Sequence, residues 1–98
     1  MTNETAHSAV ENRRRRLRFR AWHRGTKEMD LILGSFVDAN LPALDAAELD
    51  FLEALMEEPE QDAYAWITGK QPVPAGFDTP LMARLQAHTV PPRTRLER

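Results

Sequence analysis

Cysteine is absent from this 98-residue chain, which excludes disulfides and thiolate metal sites and fits a reducing compartment. A chain this short without a covalent staple draws its stability from packed helices or from a partner. No apolar run approaches the roughly 18 residues of a membrane span. No stretch alternates with period two for long enough to make a strand, and no internal repeat is present. The three histidines, His7, His23 and His88, lack the i, i+4 spacing of a metal pair, so no metal is expected and each reads as an ordinary exposed residue. No nucleophile is paired with a base and no dinucleotide fingerprint is present. The chain is therefore not expected to be an enzyme or to hold a cofactor stably.

Positive charge is missing from one region and crowded into another. Residues 28–69 hold eleven acids and no Lys or Arg, whereas residues 1–27 hold eight Lys and Arg against two acids. The net charge of −2 hides this split. A basic segment and an acidic one either neutralise each other in the fold or present opposite fields to a partner. Length and composition indicate one soluble domain. Residues 1–12 lack an apolar segment and read as a flexible tail, not a secretory signal. Arg13-Arg14 is followed by charged residues and not by the apolar stretch of a twin-arginine export signal. The expected organisation is a helical domain over 13–90 and a second flexible tail over 91–98.

The middle of the chain is written in helical period. Met29, Ile32, Leu33 and Phe36 share one stripe of a helix from about Thr26 to Ala39, in which Gly34 costs stability but permits a close crossing. Leu41-Pro42-Ala43 breaks it. Asp45 with Glu48 forms a capping box, flanked by Leu44 and Leu49 as a hydrophobic staple. The helix it opens runs to about Glu57, burying Leu49, Leu52, Leu55 and Met56, and Pro59 follows its end. A short helix fits Glu60 to Thr68, with Gly69 at its C′ position and Tyr64 and Trp66 read as core. After a loop marked by Pro72, Pro74 and Gly76, Thr79 and Pro80 start a last helix reaching about His88.

The basic helix, from about Asn12 to His23, has no single apolar face. Arg13, Arg16, Arg20 and Arg24 are spaced to share a stripe, Leu17 and Ala21 one flank, and Phe19 and Trp22 another. Such a helix is either touched on two sides by its own bundle or leaves an aromatic flank open. Arg24-Gly25-Thr26-Lys27-Glu28 follows it. Taken alone, Gly25 reads as a helix C′ residue and Glu28 as a first-turn carboxylate stabilised by the dipole. Arg24 and Glu28 could equally pair with each other.

Several separated elements in one order say more. Arg15-Arg16-Leu17, Phe19-Arg20, Arg24-Gly25-x-x-Glu28-x-Asp30, Leu33 and Phe36 closely resemble the succinate dehydrogenase assembly factors that promote covalent flavin attachment. Glu48, Phe51, Leu52, Leu55 and the Tyr64-x-Trp66-x-x-Gly69 segment are similar to the same family, so the resemblance covers about residues 13 to 90. Trp22, His23 and the long proline-rich loop depart from its pattern. The resemblance implies an all-α, compact five-helix bundle acting in the bacterial cytoplasm, or in the mitochondrial matrix if the source is eukaryotic. It implies that Arg24, Gly25 and Glu28, with Arg20, Asp30 and Arg16 beside them, dock on the flavoprotein subunit of succinate dehydrogenase and by extension fumarate reductase. The factor is then a monomer when free, a chaperone that acts on FAD attachment in its partner without forming the bond itself. Two other readings stay open on the residues alone. Seven Arg between positions 13 and 24, interleaved with Phe19 and Trp22, suit a nucleic-acid-binding helix, although the acids that follow would repel a phosphate backbone. A helical adaptor for another protein is the third.

Overall fold

The computed structural model describes residues 2–90, and of residues 2–8 the backbone only. Five helices follow in order: α1 (Thr2–Trp22), α2 (Lys27–Asn40), α3 (Ala46–Glu57), α4 (Glu60–Ile67) and α5 (Pro80–Ala87), with single 3-10 turns at Leu41–Ala43 and Ala75–Phe77. No strand occurs among the described residues, so the fold is the expected all-α bundle in a single small domain.

The helix boundaries follow from local chemistry. Thr26 caps α2, accepting from Met29 N–H at 3.4 Å. At α3 the capping box is complete: Glu48 N–H donates to Asp45 Oδ1 at 2.8 Å and Asp45 N–H donates to Glu48 Oε1 at 2.9 Å. Such a cap is worth about 1 kcal/mol. Leu44 and Leu49 are both buried at the staple positions. Gly69, at φ +78°, ends α4 with Lys70 N–H bonded to Ala65 O at 2.8 Å and Gly69 N–H to Trp66 O at 3.3 Å, the paired bonds of a Schellman ending. Thr79 caps α5, with Pro80 at its first position.

α2 is the axis of the core. Met29, Leu33 and Phe36 are buried as their spacing predicts, but Leu31, Gly34, Ser35 and Val37 are buried too, because α2 is covered on more than one side. α1 seats Leu17 and Ala21 against it, α3 adds Leu52 and Leu55, and α5 adds Leu81 and Leu85. Fully burying one such side chain contributes about 1.5–3 kcal/mol.

Three expectations change. α1 begins at Thr2 and not near Asn12, so the backbone of residues 2–12, read as a tail, is helical. No Gly or Pro interrupts that run, and Ala6 and Ala9 favour helix. The tail expected over 91–98 lies outside the described residues. Tyr64 and Trp66 are half-buried instead of central. Trp66 stacks on Phe77 at 5.4 Å and Phe77 meets Phe51 edge-on at 5.7 Å, which fastens the proline-rich loop onto α3 and α4. His88 is not an ordinary exposed residue: its Nε2 lies 2.8 Å from Ser35 Oγ and its ring meets Phe36 edge-on, joining the end of α5 to α2.

Candidate functional site

Three of the six arginines of α1 pair with carboxylates of α2 or α3. Arg13 forms a fork with Glu53 at 2.8 and 2.9 Å and also bonds Asp50. Arg20 reaches Glu57 at 2.7 Å, Arg14 donates to the Leu44 carbonyl at 2.8 Å, and Arg18 pairs with Asp38. The Arg13 guanidinium holds the Glu53 carboxyl below its ordinary value, and Glu53 and Asp50 in turn raise Arg13. Arg13 and Arg20 thus pair α1 with acidic α3 and Arg18 pairs it with α2, which engages three of the arginines on which a nucleic-acid reading rests. The predicted stripe of Arg13, Arg16, Arg20 and Arg24 breaks up. Arg13 and Arg20 turn to α3, Arg16 stays exposed, and Arg24 lies beyond the helix end at Trp22.

The α1–α2 turn is held from three directions. The Arg24 N–H donates to Asp30 Oδ1 at 2.5 Å, fixing the turn to α2. The Arg24 side chain, 12% exposed, points inward, and its Nη1 donates to the Met56 carbonyl at 3.0 Å near the end of α3. Arg24 Nε is buried without a hydrogen-bond acceptor among the described residues, 3.8 Å from Glu60 Oε1. Glu60 also accepts from the Thr26 hydroxyl at 2.5 Å, so the first turn of α4 clamps the cap of α2.

Gly25 sits at the apex with φ +112°, and a Cβ there would meet nothing within 4 Å. It is not the C′ residue of α1, because His23 and Arg24 intervene, and its φ lies well outside the left-handed basin near +57° that Asn tolerates. Glu28, in the first turn of α2, is exposed and has no partner among the described residues, so it does not pair with Arg24. Beside the turn lies an open groove of about 500 Å³ lined by Arg24, Gly25, Glu28, Glu60, Gln61 and Tyr64 among others. Of the six predicted site residues, Arg24, Gly25 and Glu28 meet there, Asp30 supports the turn from within, and Arg20 and Arg16 lie along α1. Sequence reasoning missed Glu60 and Gln61. Glu60 carried one signal, an acid in the first turn of a short helix, but nothing local tied it to Arg24.

Behind the turn, Trp22 lies on Gly34. A Cβ at Gly34 would overlap the indole, with even its Cε3 atom only 2.6 Å away, and Trp22 Nε1 donates to Asp38 Oδ2 at 3.2 Å. This is the close crossing that Gly34 permits, and it accounts for Trp22.

Fold and site define a small all-helical protein with an open groove at a helix junction, rimmed by charged side chains over a largely apolar lining, which is the form of a binding surface. Among the described residues, no group of three or more His, Asp or Glu side chains is arranged to hold a metal, and no helix is long and apolar enough to cross a membrane. The chain belongs to the family described as flavinator of succinate dehydrogenase, which matches residues 15–89. It is 44% identical over 73 residues to an FAD assembly factor, SdhE, of Acetobacter pasteurianus, covering 74% of this chain and 67% of that protein. It is 35% identical to succinate dehydrogenase assembly factor 2, mitochondrial, of Dictyostelium discoideum, over 83% of this chain and 57% of the relative. The protein of the same name in Mycosarcoma maydis is 40% identical over 83% of this chain and 37% of its own length. The chain therefore spans about half or less of these two mitochondrial relatives.

Proposed function

We propose that this chain is a non-catalytic assembly factor that binds the flavoprotein subunit of succinate dehydrogenase and promotes covalent attachment of FAD to it. The observation that carries this reading is the family match over residues 15–89, which takes in every residue of the α1–α2 turn and its groove. The names of the bacterial and mitochondrial relatives support the same client, and the compartment proposed with it is a bacterial cytoplasm or a mitochondrial matrix. Fumarate reductase is a further client of the same chemistry. The factor is a monomer when free and holds no FAD of its own.

Physically, the factor acts by binding one conformation of the flavoprotein more tightly than others, which raises the population of that conformation in proportion to the difference in affinity. Gly25 leaves room for a partner backbone, and Glu28 offers an acceptor fixed at a helix start. Arg24 acts from behind, as a positioning residue that ties the turn to α3 and α4. Among these, Glu28 is the cleanest probe, because changing it disturbs no internal contact.

The test is in-gel flavin fluorescence of the denatured flavoprotein subunit, compared among cells carrying wild type, Glu28→Lys, Gln71→Ala or no copy. Covalent flavin should fall without the factor and with Glu28→Lys, and persist with the exposed control Gln71→Ala. Unchanged covalent flavin in cells lacking the factor would sink the proposal.

A further inference from the structure

The outer face of α1 is left over once the internal pairs are made. Asn12, Arg15, Arg16 and Phe19 fall within about a third of the helix circumference, opposite buried Leu17 and Ala21, with His23 just past the helix end against Phe19, and all five are exposed. Phe19 is 62% exposed, the most open large apolar side chain among the described residues. Its ring stacks on His23 with centroids 4.0 Å apart and planes 18° apart, and the His23 Nδ1 lies 2.6 Å from the Phe19 carbonyl. The aromatic pair is thus built and oriented without being covered. Arg15 and Arg16 flank it. Arg15 donates to Asn12 Oδ1, and neither arginine meets a carboxylate among the described residues, whereas Arg13, Arg18 and Arg20 all do.

This face is continuous with the α1–α2 turn. His23 also borders a depression shared with Gly25, Lys27 and Asp30. From Arg15 to the helix end at Trp22 the rise is about 10 Å, so a partner seated on the turn meets the stripe without a break.

We propose that the α1 outer face is a second docking surface, contiguous with the Gly25 turn, that binds an acidic segment of the flavoprotein carrying an apolar side chain to cover Phe19. The inference rests on the proposed function for the identity of the partner. The chemistry of the segment follows from charge: two arginines without carboxylates select acids, and a stacked aromatic pair between them selects an apolar or aromatic contact. The two parts separate kinetically. Rim charges steer association, while an aromatic anchor sets dissociation.

The experiment measures association and dissociation of the purified flavoprotein subunit, lacking covalent flavin, on the immobilised full chain at two salt concentrations. Phe19→Ser should weaken binding roughly 30-fold, mostly through faster dissociation. Arg15→Glu with Arg16→Glu should slow association about tenfold at low salt and flatten its salt dependence. Phe19, Arg15 and Arg16 are exposed, so both variants should keep the wild-type circular dichroism and melting temperature. Wild-type binding that both variants retain in full would overturn the second surface and leave the proposed function standing. Failure of the wild type to bind the flavoprotein would overturn the proposed function, and the inference with it. Concentration-dependent dimers of the wild type, lost with Phe19→Ser, would assign the face to a second copy of this chain and overturn the flavoprotein as its occupant.

Discussion

Gly25 and Gly34 belong to the same α1–α2 hairpin and serve opposite ends. At Gly34 the missing side chain is replaced by the chain's own Trp22 indole, so the glycine is closed and structural. At Gly25 nothing lies within 4 Å and φ is +112°, so the glycine shapes the backbone and leaves the space above it empty. A glycine marks a close approach or an unusual backbone, but only its surroundings tell whether the approaching group is internal or external. Trp22 and Phe19 repeat the contrast on one helix. Trp22 is covered by α2 and anchored to Asp38, while Phe19 is stacked and bare.

The largest effect that separates the two glycines is expected at the closed one. Gly34→Val should lower unfolding free energy by about 3 kcal/mol, because the indole must leave its seat. The double variant Gly34→Val with Trp22→Ala should recover part of that loss in urea denaturation. A Gly34→Val protein as stable as wild type would show that the indole swings out freely, and the contrast would break.

Gly25→Ala should cost about 1 kcal/mol through its positive φ alone. Because the space is open, Gly25→Leu should match Gly25→Ala in stability to within about 0.5 kcal/mol while losing more of the flavinylation signal. A Leu much less stable than the Ala would mean that Gly25 is closed as well.

Glu28→Ala should cost less than about 0.5 kcal/mol, a first-turn dipole effect, against about 2–5 kcal/mol for Leu52→Ala in the core. Equal losses would make Glu28 a structural residue and not part of a docking surface.

The smallest effects concern pH. Burial lowers the His88 imidazole below its ordinary 6.5, so the fold prefers it neutral. That preference is fully present above pH 6.5 and is lost as pH falls below it. Glu53 is held below its ordinary 4.5 by Arg13, so its contribution is present above pH 4.5 and disappears as pH falls through the folded value. Melting temperature should therefore decline in two stages on acidification. His88→Gln should remove the upper stage, and Arg13→Ala the lower one.

Much of the fold was legible because its signals are short-range. The Asp45–Glu48 box, the Gly69 ending, the Thr79-Pro80 start and the period of α2 all act within about one turn of helix, where neighbours in sequence are neighbours in space. The start of α1 was missed because residues 2–12 carry no apolar periodicity to announce a helix. Of the candidate site, Arg24, Gly25 and Glu28 were singled out through family resemblance. Their different fates, one turned inward, one at positive φ and open, one free, were not.

The sequence by itself determined the helices, their caps and the separation of charge into a basic and an acidic segment. Only the tertiary structure decided which charges cancel. Arg13 meets Glu53 across 40 positions, Arg20 meets Glu57 across 37, and Thr26 meets Glu60 across 34. No local rule selects these partners among eleven acids in residues 28–69, since the choice depends on how α1 rotates when Leu17 and Ala21 are buried. Once that rotation is set by packing on α2, Arg15, Arg16 and Phe19 are left facing outward, because burial of one side of a helix exposes the other.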